Sequence, residues 1–258
     1  MTVRVWLALL LGCAALRADF SYRSRIQVTG GELYEALGAL GPHGRDPLIE
    51  TKLIRGPRLA IQTRQHTRVV DLSAETITEI DFSKKTYSII PFADVKKLLD
   101  AVQAKAPHEL TFKISIEPGA SKPFGIMTAS ESRVEIAGGS GTANISVDSW
   151  IAPVPGYQQV SDFTAKLAEE LGYPYASGFA DLAWNQPQSL EGFGEAAKAL
   201  LQSHGAPLQS AIKIVSGGSS VAEVTVELSD FGGGVQAAAK FDPPANFKKV
   251  DATLPKLP

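Results

Sequence analysis

Between Lys52 and Ile90 the chain is cut into short β-branched segments by turns every six to nine residues, and nothing else in it restricts the fold as strongly. Residues 52–55 run into Gly56-Pro57, and residues 58–64 alternate apolar and polar side chains. Segments 67–72, 76–82 and 86–90 follow, separated by Gln65-His66, Ser73-Ala74-Glu75 and Ser83-Lys84-Lys85. Connections this brief are too short for the crossovers that parallel strands require, so these segments form an antiparallel meander.

The same period-2 pattern appears at residues 20–28, where Gly30-Gly31 ends it, and again at 110–116, 132–136 and 143–147. It returns near the end of the chain at 211–215, 221–228 and 235–241, before Pro243-Pro244 and a polar tail. Helical periodicity is confined to a few stretches. Residues 32–40 form a short one, and 93–104 places Val95, Leu98, Leu99 and Val102 on one face. Residues 160–171 stripe Val160, Phe163, Leu167 and Leu171, with Ser161 or Asp162 as a cap. Residues 190–203 stripe Phe193, Ala197, Leu200 and Leu201. Runs of strands with helices inserted, and no strict β-α-β alternation, predict an α+β fold. The expected architecture is a large curved antiparallel sheet, an incomplete barrel, with amphipathic helices packed on one face. Residues 19–250 are read as a single β-rich domain and 251–258 as a disordered C-terminal tail. Residues 118–123 are the least regular interior stretch, and a domain split there is the weaker alternative.

The first eighteen residues have a separate logic. Arg4 precedes an apolar run from Val5 to Gly12, and small residues lead up to Asp19. The run is far short of the about 20 residues that cross a bilayer, so residues 1–18 read as a secretory signal peptide. Cleavage between Ala18 and Asp19 is the reading taken. The alternative is a lipobox, Leu10-Leu11-Gly12-Cys13, in which a lipidated Cys13 tethers the protein to a membrane. Leu11 fits that motif poorly and Cys13 lies early. The expected location is exported, periplasmic or extracellular, with a membrane-anchored lipoprotein as the alternative. No later apolar run is long enough to cross a membrane.

Charge and composition narrow the functions further. The formal charge is −2, and becomes −4 once Arg4 and Arg17 leave with the leader. That balance argues against nucleic acid and anionic membrane surfaces as partners. Cys13 is the only cysteine, so the mature body has no disulfide and no thiolate chemistry. His43, His66, His108 and His204 are widely separated, with no second ligand at metal-binding spacing. No serine sits in a G-x-S-x-G elbow, and the glycine clusters at 138–141, 217–218 and 232–234 match no nucleotide-binding loop and read as hairpin turns. Asp71, Glu75, Glu79 and Asp81 read as the solvated face of strands. Arg55, Arg58, Arg64 and Arg68 lie on neighbouring strands as a candidate anion patch. No catalytic residues, metal ligands or cofactors are assigned, and a non-enzymatic protein is expected.

Aromatic residues offer the one positive lead. Trp150, Phe163, Tyr173, Tyr175, Phe179, Trp184 and Phe193 crowd the segment that carries the later helices. They either fill the space between helices and sheet or line an apolar cleft that accepts a lipid or acyl chain. Trp150, Phe163, Trp184 and Phe193 are the candidate lining residues.

The order of short motifs carries a resemblance. Arg68-Val-Val-Asp-Leu72, Ile77 to Asp81, Lys85-Thr-Tyr87 and Ser88-Ile-Ile-Pro91 come first. Ser149-Trp-Ile-Ala-Pro-Val-Pro-Gly-Tyr157, Glu191-Gly192, Gly205-Ala-Pro-Leu208 and Phe241-Asp-Pro-Pro-Ala-Asn-Phe-Lys248 follow. Together they resemble bacterial exported proteins of the DUF4412 type and, more loosely, the LolA/LolB-like lipoprotein carrier fold. The resemblance implies an incomplete antiparallel barrel around an apolar cavity closed by helices. It brings no catalytic signature, and lipoprotein carriage belongs only to the looser relatives. Two readings follow: a binder of a lipid or other hydrophobic ligand, or a structural module of the cell envelope that docks a protein partner.

Overall fold

The computed structural model describes residues 19–103, 112–138, 144–171 and 205–252. Its strands belong to one twelve-stranded open sheet. Strand β1 (Phe20–Gly30) leads through helix α1 (Gly31–Ala39) into a meander of β2 (Leu48–Arg55), β3 (Arg58–Gln62), β4 (His66–Asp71), β5 (Thr76–Asp81) and β6 (Thr86–Pro91). Helix α2 (Phe92–Gln103) separates this from a second run, β7 (Phe112–Phe124), β8 (Met127–Gly138) and β9 (Asn144–Ala152). Helix α3 (Gln158–Leu171) comes next, then β10 (Ala206–Ser216), β11 (Ser219–Gly233) and the two-residue β12 (Lys248–Lys249). Across the sheet the order is β12-β6-β5-β4-β3-β2-β1-β11-β10-β9-β8-β7. Two sequential meanders are therefore joined through β1, which pairs with β2 on one side and with β11 on the other.

The meander expected from 52–90 is present, with every neighbouring pair antiparallel. Its last two turns share one device. Asp71 accepts the Ser73 and Ala74 N–H groups at 3.0 Å each, and Glu75 then takes φ 51. Asp81 accepts the Lys84 N–H at 2.9 Å, and Lys85 takes φ 54. An aspartate that anchors the loop and a left-handed fourth residue give the twist that the strands need. Between β10 and β11, Gly217 and Gly218 both have positive φ, as a two-residue hairpin turn requires. Gly232–Gly234 is no hairpin turn: β11 ends there and the chain leaves the sheet.

Three further expectations are corrected. Residues 235–241 form no strand; a 3₁₀ turn occupies Ala238–Lys240. The segment instead crosses β1–β5 as a strap, because distant partners hold its carbonyls. Arg55 donates to the Gln236 carbonyl, Gln62 to the Lys240 carbonyl, and Arg58 to the Phe241 carbonyl. Beyond Pro243-Pro244 the chain adds β12 parallel to β6, so the sheet is mixed rather than wholly antiparallel. Residues 118–123 lie inside β7, with a register irregularity between Pro118 and Ser121. Proline is tolerated there because β7 is an edge strand.

Alternation sends the two sides of β2–β5 into different apolar clusters. Register aligns Phe20, Ile54, Leu59, Val70, Ile77 and Ile90 in one row across β1–β6. That row packs with Phe92 and Val95 of α2 and with Val160, Phe163, Leu167 and Leu171 of α3. On the opposite parity, Leu53, Ala60, Val69 and Ile80 pack under Phe241 of the strap. A further cluster covers the second meander, with Val134, Ile136, Ile145, Val147, Ile212 and Val224 at its centre. Among the described residues, no helix is long and apolar enough to cross a membrane.

Candidate functional site

The face that packs with α2 and α3 is apolar in one row and charged in the next. Two residues along from the Phe20–Ile54 row, register aligns Tyr22, Lys52, Ile61, Arg68, Glu79 and Ser88. Lys52 is 3 % exposed, on the same side of β2 as Ile54. Glu50, two residues earlier, is 5 % exposed, and Ser24 pairs with it from β1 at 1 % exposure. Lys52 Nζ lies 3.3 Å from Glu50 Oε2, and the Ser24 hydroxyl donates to the same oxygen at 3.2 Å. The ammonium also sits 5.9 Å from the centre of the Tyr22 ring. Further along the charged row, Arg68 Nε meets Glu79 Oε1 at 2.5 Å, and both side chains reach solvent.

This polar group stands between two apolar regions. On one side are Phe20, Tyr22, Tyr157 and Phe231, whose rings pack at centroid distances from 5.9 to 6.5 Å. Burial, and secondarily Tyr22, pushes the Tyr157 hydroxyl well above the usual phenol range, so it stays protonated at neutral pH. On the other side, Ile26 and Val226 lead to a row of serines, Ser210, Ser149 and Ser132, on β10, β9 and β8. Ser149 and Ser210 are buried, with their hydroxyls 2.8 Å apart. A polar seam thus runs between the apolar cluster of α2, α3 and β1–β5 and the cluster of β8–β11.

Of the candidate lining residues, Phe163 is buried on α3 in the first cluster, 4 % exposed. Trp150 lies in β9, half-buried beside Ala129, Ala152, Ala206 and Leu208, with Lys122 Nζ 3.6 Å from the centre of its ring. The two therefore sit in different clusters, which share Val154, Tyr157 and Phe231 at their margins. Trp184 and Phe193 lie outside the described residues, as do Cys13, Ala18, the helix expected at 190–203 and residues 253–258. Asp19 is described and 9 % exposed; its carboxylate accepts the Gln236 N–H at 2.6 Å.

Three of the four arginines in the candidate anion patch meet carboxylates of this chain, and Arg64 is exposed. Arg55 approaches Asp19, Arg58 pairs with Asp71 and Asp242, and Arg68 pairs with Glu79. Glu79 also departs from the solvated-face reading, since it shares the side of β5 with buried Ile77. His43 is exposed and bonds Asp46, and no cluster of metal-binding side chains occurs among the described residues. The buried Ser24–Glu50–Lys52 group is hidden in the sequence reading because the expected strand begins at Lys52, whereas β2 begins at Leu48 and includes Glu50. Its signal was the spacing Glu50-x-Lys52-x-Ile54, which puts both charges on the side of an obligate core residue. Comparison of the chain with protein-family models and with curated proteins gives no match.

Proposed function

We propose that this is an exported, non-enzymatic protein that binds a lipid or another hydrophobic ligand between the sheet and helices gathered on one side of it. The observation that carries this reading is the apolar row Phe20–Ile54–Leu59–Val70–Ile77, spread over five strands and faced by α2 and α3. That row is buried under the two helices, from 0 % exposure at Val70 to 6 % at Ile77, so a ligand would gain it by displacing α2 or α3; the likeness of the motif order to the LolA/LolB-like carrier fold supports the reading. The leader pattern of residues 1–18 supports export.

Native mass spectrometry of the protein purified from the periplasmic fraction of its own host, followed by lipid analysis, tests the reading. A stoichiometric acyl adduct, absent from a control protein, is the expected result. A clean mass that persists after lipids are offered in excess would move the function to the envelope-module reading. Strand β7, at the edge of the sheet among the described residues, would then be the surface for a partner.

A further inference from the structure

We infer that the Ser24–Glu50–Lys52 group receives the uncharged, hydroxyl-bearing head of an acylglycerol-like amphiphile; this rests on the ligand-binding reading above. The group lies beside the apolar row that would hold an acyl chain, on the same side of β1 and β2 as Phe20 and Ile54. Its side chains are almost wholly buried, at 3 % for Lys52 and 6 % for Glu50. Well-packed apolar residues of similar size would stabilise such a position as well or better, so stability alone does not account for the charges.

Valence tells which use. Both contacts to the Glu50 carboxylate go to Oε2, and among the described residues Lys52 Nζ has that one carboxylate as its acceptor. Among the described residues, donor capacity on the ammonium and acceptor capacity on Oε1 therefore lie side by side. The pair carries no net charge. A carboxylate or ammonium head would add an uncompensated buried charge, whereas a glycerol head offers an acceptor oxygen to Lys52 and a hydroxyl to Glu50 at no such cost.

The test is displacement of a fluorescent acyl probe from the purified protein by four ligands with one chain: monooleoylglycerol, methyl oleate, oleate and oleylamine. Monooleoylglycerol is expected to bind about tenfold more tightly than methyl oleate, the equivalent of one or two net hydrogen bonds, and more tightly than either charged ligand. In the Glu50→Leu/Lys52→Met double variant that preference should vanish while methyl oleate still binds. Wild-type binding of methyl oleate, oleate or oleylamine at or above monooleoylglycerol overturns the inference, as does a preference that survives in the double variant. Should the variant fail to fold, the wild-type order decides alone. If none of the four binds, the ligand-binding reading itself falls, a result distinct from loss of head-group preference.

Discussion

Lys52 and Glu50 are stable only as a pair. Each is buried, and each neutralises a charge that would otherwise be stranded away from water. Removing one partner leaves the other uncompensated, so Lys52→Met should cost about 3 kcal/mol in denaturant unfolding. Replacing both, as Glu50→Leu/Lys52→Met, should cost less than the single change. A double variant less stable than Lys52→Met would mean that the pair contributes to stability in its own right. Gly156 sets a second constraint at this scale. It has φ 87 just before α3, and a Cβ there would lie 2.8 Å from the Phe20 ring. Gly156→Ala combines a left-handed backbone with that collision and should destabilise by more than about 1 kcal/mol. A neutral melting temperature would show that the turn shifts without strain.

Turns and strap dominate at the scale of elements. In the β5–β6 turn the Ser83 hydroxyl, and then the Lys84 backbone N–H, hold the Asp81 carboxyl well below its ordinary value of 3.8. A lowered folded-state pKa stabilises the fold above the unfolded value and ceases to do so as pH falls through and below it. The melting temperature of the wild type relative to Asp81→Asn should therefore be highest above about pH 5, shrink as pH falls through the ordinary carboxylate range, and still be shrinking at about pH 2. A constant difference over that range would remove Asp81 from the acid limb. The strap depends on Phe241, 1 % exposed, packed on Leu53, Ala60, Val69 and Ile80. Phe241→Ala should cost about 3–5 kcal/mol by equilibrium unfolding, and a loss under about 1 kcal/mol would mean that the strap covers the sheet without stabilising it. These elements differ in how far the sequence reveals them. The turns of β2–β6 are readable because each carries its own local chemistry: Gly56 with positive φ in the first, the Thr63 hydroxyl in the second, and an aspartate in each of the last two. The strap is not, since Val235-Gln-Ala-Ala-Ala-Lys-Phe241 alternates loosely like a strand while its partners Asp19, Arg55 and Arg58 are some 180 residues or more away. The polar seam lies between these cases: its spacing is visible locally, but its burial depends on what packs over β1 and β2.

Over the whole molecule, β1 is the joint on which the sheet depends. Each meander pairs strands close in sequence, but Phe20 pairs with Ile54 on one side and Gly233 on the other. The second pairing spans nearly the whole described chain, so the sheet becomes continuous only after β11 has formed. Phe20 also contacts Tyr157 just before α3 and Phe231 on β11, while its row on β2–β5 is Ile54, Leu59, Val70 and Ile77. A substitution here should loosen both meanders at once, whereas one on the edge strand β7 should stay local. Phe20→Ala is expected to cost about 3 kcal/mol or more, which corresponds to roughly hundredfold faster global opening. Native-state hydrogen exchange reads this directly. The slowest amides of β4 and of β10 should accelerate by the same factor in Phe20→Ala, and neither should change in Ser115→Pro on β7. If β4 accelerates alone, the meanders open as separate units, and the seam between them is a boundary that can part without unfolding the rest. If both accelerate together, the sheet is one cooperative body, and the ligand we propose would enter by movement of the covering elements rather than by separation of the sheet.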